Sequence, residues 1–217
     1  MKTDAQLRAD IFEELKWEPS IREAEIGVAV KDGVVTLTGH VESYAQKYAA
    51  ERAAERVSSV RALADDLHVK LPSERARTDT EVAHAVANAL DWDIEVPHGL
   101  TARVEKGWVY LDGSVEWQYE KGAAERAVRY LTGVQGVTNR IMVKPVRVST
   151  SAVSKKIREA LHRTAELDSS RITVEEREGK VTLKGKVRSW AERTDAERAA
   201  WAAPGVLSVE DELTVGV

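Results

Sequence analysis

Cysteine is absent from the 217 residues. Disulfides and thiolate-bound metals are therefore excluded, and the redox state of the compartment is left open. No apolar run approaches the 18 residues of a membrane-spanning helix. The opening segment, Met1 to Asp10, is charged and amphipathic. It lacks the apolar stretch and small-residue cleavage site of an export leader. The expectation is a cytoplasmic protein, or a periplasmic one if a leader has been removed. A large charge of one sign is missing as well: 32 Lys and Arg face 36 Asp and Glu, for a formal net charge of −4. A global pull toward nucleic acid or anionic lipid is not supported, so nucleic acid is not an expected partner and any anionic surface must be met by a local patch.

Catalytic and metal-binding patterns are missing too. His40, His68, His84, His98 and His162 are scattered. No two of them have the helical i, i+4 spacing of a zinc site, and no HExxH occurs. Carboxylates alternate with cations, as in Glu51-Arg52 and Glu55-Arg56, the pattern of a solvated helix face. The glycines that recur six apart bracket a strand. A phosphate-cradling loop needs them between a strand and a helix N-terminus. Neither a cofactor nor an enzymatic site is expected.

What is present is a repeat. Gly33-Val-Val-Thr-Leu-Thr-Gly39 returns as Gly107-Trp-Val-Tyr-Leu-Asp-Gly113 and as Gly179-Lys-Val-Thr-Leu-Lys-Gly185. The match runs on without a gap to Val69, Val143 and Val215. The period of 74 and then 72 residues makes each copy a domain-sized unit and not a solenoid repeat. The expected domains are residues 1–71, 72–147 and 148–217. Units this small are marginal alone, so neighbours should support one another.

Each copy opens with a helical stripe: Leu7, Ile11, Leu15; Val82, Val86, Leu90; Val153, Ile157, Leu161. Thr3 or Asp4, Thr78 or Asp79, and Ser149 to Ser151 offer N-terminal caps. Two strands follow, joined at Lys31-Asp32-Gly33, Glu105-Lys106-Gly107 and Arg177-Glu178-Gly179, where Gly33, Gly107 and Gly179 suit a positive φ. Gly39, Gly113 and Gly185 fall on the inward face of the second strand, and we read them as places where a helix presses close. That helix is the alanine-rich segment around Ala50-Glu-Arg-Ala53, Ala124-Glu-Arg-Ala127 and Ala196-Glu-Arg-Ala199. A last strand ends at Leu67-His-Val69, Ile141-Met-Val143 and Leu213-Thr-Val215. The predicted fold is α+β: three tandem αββαβ sandwiches, each a three-stranded sheet with two helices on one face.

This order, the Gly-x-Val-x-Leu-x-Gly strand, the Ala-x-x-Ala helix and the closing strand resemble the BON (bacterial OsmY and nodulation) domain, three times over. The resemblance implies a non-enzymatic binding chain, OsmY-like, tied to osmotic and envelope stress, with phospholipid binding as the usual proposal. A small-cation (K+ or Ca2+) sensing role is the alternative it implies.

Two sets of residues are candidates for contact with anionic phospholipid headgroups or a protein partner. Period-two alternation places Lys180, Thr182, Lys184, Lys186 and Arg188 on one strand face. Four cations there would matter if Glu175, Glu176 and Glu178 do not cancel them. The second set is Trp17 and Trp92, at equivalent positions just past the first-helix stripe, where the third copy offers Arg163 and Thr164. They are either boundary aromatics packed between units or interfacial anchors, half apolar and half polar. Oligomerisation stays open.

Overall fold

The computed structural model describes residues 2–144, 153–163 and 171–216. The cap at Ser149 to Ser151, the tether around Pro145, Thr164, and the side chains of His162 and Arg163 lie outside the described residues. Among those residues the chain runs α1 (Asp4–Trp17), β1 (Ile26–Lys31), β2 (Val34–Val41), α2 (Tyr44–Arg56) and β3 (Ala62–Val69) in the first repeat. The second follows as α3 (Asp79–Trp92), β4 (Thr101–Glu105), β5 (Trp108–Asp112), β6 (Ser114–Val115), α4 (Gln118–Arg129), β7 (Gly136–Asn139) and β8 (Met142–Val143). The third is α5 (Val153–Arg163), β9 (Ile172–Arg177), β10 (Lys180–Val187), α6 (Trp190–Trp201) and β11 (Ser208–Val215). The αββαβ order expected from the repeat is present each time. No described helix is long and apolar enough to cross a membrane. By compactness the chain forms two units, one of residues 1–39, 49–66 and 145–217, the other of residues 40–48 and 67–144.

In every repeat the second strand is central. β1 and β2 are antiparallel, with Ile26 opposite Gly39 and Lys31 opposite Val34. β9 and β10 repeat that hairpin. The helix then returns the chain to a parallel last strand, so that β10 and β11 run from Lys180 beside Ser208 to Val187 beside Val215. In the second repeat the central strand is divided at Gly113, giving β5 beside β7 and β6 beside β8. The hairpin turns are of type I′ character: Asp32 and Gly33 have φ of 52° and 76°, and Lys106 and Gly107 of 51° and 74°. That turn matches the right-handed twist of the strands it joins.

An N-terminal helix holds each of the first two turns. The Asp4 carboxylate accepts the backbone N–H of Asp32 at 2.8 Å and of Gly33 at 3.1 Å. Asp79 accepts those of Lys106 and Gly107 at 2.7 and 2.8 Å. In the third repeat Glu176 takes the Gly179 N–H locally, at 2.9 Å. Thr3 and Thr78, one residue ahead of these aspartates, complete capping boxes with Gln6 and Glu81.

The expected stripes are buried. Ile11, Leu15, Val86 and Ile157 lie beneath the surface, as do Val35, Leu37, Val109, Leu111, Val181 and Leu183 from the central strands. Ala50, Ala53, Ala123, Ala124, Ala196 and Ala200 are fully buried, so the second helix lies close to its sheet. The inward glycines have a different reason from the one expected. Gly39 has a φ of 119° and Gly185 of 133°, and a side chain at either would strike a backbone carbonyl of the neighbouring strand's approach, that of Glu25 or of Arg171. At Gly113, with φ 137°, the obstacle is Leu100. The constraint is therefore the backbone conformation and the adjoining chain, and not a helix pressed against the strand.

Candidate functional site

The cations of β10 share one face, as the alternation predicts, but they do not stand alone. On the flanking strands β9 and β11 the same face carries the carboxylates Glu175, Glu210 and Glu212, beside Thr173, Arg177, Ser208 and Thr214. Lys180 pairs with Glu210 at 2.8 Å, and Lys184 pairs with Glu175 at 2.9 Å and reaches Glu212 at 4.0 Å. Arg188 is held by Glu192, the third residue of α6, through both its backbone N–H at 2.6 Å and its guanidinium. The hydrogen bond to Glu175 raises the Lys184 pKa, and the same bond lowers that of Glu175. Lys180 likewise holds Glu210 below the usual carboxylate range. Lys186 is exposed. The face is charged yet balanced. Glu210 and Glu212 were missed because a carboxylate on the last strand becomes a neighbour only once the parallel pairing is known.

The matching face of the second repeat is aromatic, and it too is engaged. Trp108 Nε1 donates to Thr138 Oγ1 at 2.8 Å. Tyr110 lies between two guanidiniums, with Arg103 at 4.3 Å and Arg140 at 4.9 Å from its ring centre. Such cation–π contacts satisfy both partners.

The ends of the first helices differ from both faces. Trp17 is 84% exposed, Trp92 is 87% exposed, and Ile94, two residues beyond Trp92, is fully exposed. Both indoles stand off the buried stripe of their own helix. The reason is local. α1 and α3 bury Leu15 and Leu90, and a residue two further along the helix points off that stripe. Beyond Trp92 the chain turns at Asp93, whose carboxylate accepts the Glu95 N–H at 2.9 Å, and Val96 re-enters the core, which leaves Ile94 standing out. Asp91 and Glu95 are exposed beside them. Arg126 pairs with Glu95 at 2.5 Å.

Aromatic packing between repeats is done by residues that the sequence did not single out. Within one compact unit, Trp190 Nε1 on α6 donates to the Val60 carbonyl at 3.1 Å, and Arg52 reaches Thr194 at 3.4 Å. Within the other, Tyr44 packs against the core of the second repeat, and the Arg129 guanidinium stacks 3.3 Å from the centre of the Tyr48 ring. Arg129 is buried and bonded to Glu125 at 2.7 Å. Burial alone would lower its pKa, but the bond to Glu125 and the tyrosine outweigh it, and the net direction is upward.

Among the described residues, His40 and His68 come together, with ring centres 6.0 Å apart. Among the described residues, no group of three or more His, Cys, Asp or Glu side chains converges as a metal site.

The BON domain family model matches residues 3–70, 78–145 and 149–217. The chain belongs to the BON-domain family, with three copies in tandem. Osmotically-inducible protein Y of Escherichia coli K12 is 30% identical over 146 residues, which span 65% of this chain and 73% of that protein. Two solved structures of CdsD, a structural protein of the type III secretion system of Chlamydia trachomatis, also align. One covers 94% of this chain and 90% of the other at 15% identity and a TM-score of 0.26; the second, a C-terminal domain, covers both chains fully at 14% and 0.27.

Proposed function

We propose that this BON-domain chain is a non-catalytic binding protein that docks on phospholipid surfaces through the exposed helix ends, Trp92 with Ile94 and Trp17, in adaptation to osmotic stress. The stress setting follows from the name of its osmotically-inducible relative. The observation that carries the binding mode is the exposure of both Trp92 and Ile94, two residues apart where α3 ends. An indole suits the headgroup zone, being apolar in body and polar at its N–H. The cations of β10 contribute little to this reading, because carboxylates already hold Lys180, Lys184 and Arg188. Asp91, Asp93 and Glu95 beside the tip argue against a strongly anionic surface as a requirement.

Those same carboxylates favour one other reading, a protein partner whose apolar pocket is rimmed by cations. Vesicle flotation separates the two. On phosphatidylcholine vesicles the unaltered chain should float, Trp92→Ala with Ile94→Ser should lose most of that binding, and Lys184→Glu with Lys186→Glu and Arg188→Glu should keep it. Flotation unaffected by the tip substitutions would overturn the lipid reading.

A further inference from the structure

We propose that His40 and His68 form a two-imidazole site for a divalent late transition metal on the outer face of the first sheet. The two residues are 28 positions apart in sequence and lie on the neighbouring parallel strands β2 and β3. Their equivalents show the register. In the third repeat Lys186 stands opposite Thr214, and in the second Ser114 stands opposite Met142. The equivalent position is thus a direct cross-strand pair in the other two copies, and the first copy fills it with two imidazoles.

The geometry suits coordination. The rings lie 6.0 Å apart, centre to centre, with an interplanar angle of 44°. Two imidazoles sharing one metal at about 2.0–2.1 Å per nitrogen hold their ring centres roughly 4.5–6.4 Å apart, depending on the angle at the metal. The observed spacing is inside that range, so small χ rotations bring one nitrogen of each ring to a common point. Both side chains are exposed, which gives a metal an open approach. The two rings contact each other but hydrogen-bond to nothing among the described residues, so their lone pairs are uncommitted. Two protein donors leave the remaining positions to water. Imidazole suits zinc, nickel and copper, and the order of divalent affinities puts Cu2+ first.

The pre-set second ring gives the site its strength, since the second bond forms within the molecule. Titrating the whole chain with Cu2+ and following it by electron paramagnetic resonance should show one tight site with two nitrogen donors. His40→Ser and His68→Thr, residue types already used at this position by other copies, should each weaken that site by roughly a hundredfold and leave a one-nitrogen signal. His84→Ser and His98→Ser should change neither. The proposal fails if either single variant retains the two-nitrogen signal at unchanged affinity, or if the unaltered chain never shows it. The far-ultraviolet circular dichroism of each variant should match the unaltered chain, because both positions face solvent.

Discussion

The outer face of β10 and the tip beyond α3 teach opposite lessons about exposed residues. Along β10, four cations in alternation look like a binding stripe, yet the flanking strands return carboxylates to Lys180 and Lys184, and α6 returns one to Arg188. At the tip, Trp92 and Ile94 break no count of charge or hydropathy, yet among the described residues both are exposed. A sheet compensates its surface across strands, because each residue has neighbours on both sides. A helix end followed by a tight turn has no such neighbours, and apolar side chains there remain available.

The sharpest way to break this comparison is to damage the strand while sparing its charges. Gly185→Ala places a side chain against the Arg171 carbonyl at a φ of 133°. It should cost about 3 kcal/mol or more, seen as a lower urea midpoint, while the vesicle binding carried by Trp92 persists below that midpoint. If the strand face were the binder, vesicle binding would disappear with it. Next in size is the tip itself. Removing Trp92 and Ile94 together should weaken binding by tenfold or more, since burying one large apolar side chain is worth about 1.5–3 kcal/mol. The melting temperature should stay within about a degree, because neither side chain packs on the fold. A third change turns the strand into what its sequence suggests. Glu175→Gln, Glu210→Gln and Glu212→Gln uncover Lys180 and Lys184, and should add several-fold binding to phosphatidylglycerol vesicles that falls with salt. No gain would mean that the pairs do not mask the lysines.

The smallest effect is on pH. Glu175 and Glu210 have folded pKa values below their ordinary ones. Their contribution to stability is therefore complete above the usual carboxylate value and lost as pH falls through the lowered folded values. Both groups are exposed, so a slight decline in thermal stability confined to acid, and reduced by the three glutamine substitutions, is the expected result.

Much of the fold was legible because it is local. The stripes, the type I′ turns and the threonine caps each depend on residues a few positions apart, and the stripes and turns recur in all three copies, the caps of Thr3 and Thr78 in two. The inward glycines were visible, but their cause was not, since a small residue reads the same whether a helix or a carbonyl occupies the space. What stayed hidden depends on pairing over long separations. Glu210 and Glu212 meet Lys180 and Lys184 only through the parallel register of β10 and β11. His40 meets His68 only through that of β2 and β3. Aligning Leu67-His-Val69 with Leu213-Thr-Val215 and counting back to the central strand is the signal that would have found both. Tyr44 and Trp190, which pack between repeats, open α2 and α6 at the same repeat position, where the second copy has Gln118, and that shared aromatic was the signal to follow; Tyr48, matched by Gly122 and Thr194, left none. Trp17 and Trp92 were legible as a matched pair, whereas their exposure followed only from where Leu15 and Leu90 point.

The most direct measurement labels all six tryptophans with fluorine and follows their resonances as phosphatidylcholine nanodiscs are added, with Trp→Phe variants to assign them. The account predicts that Trp17 and Trp92 broaden or shift while Trp108 and Trp190, already committed to Thr138 and Val60, do not. A spectrum in which Trp92 is unmoved, or in which Trp108 and Trp190 respond first, would contradict it.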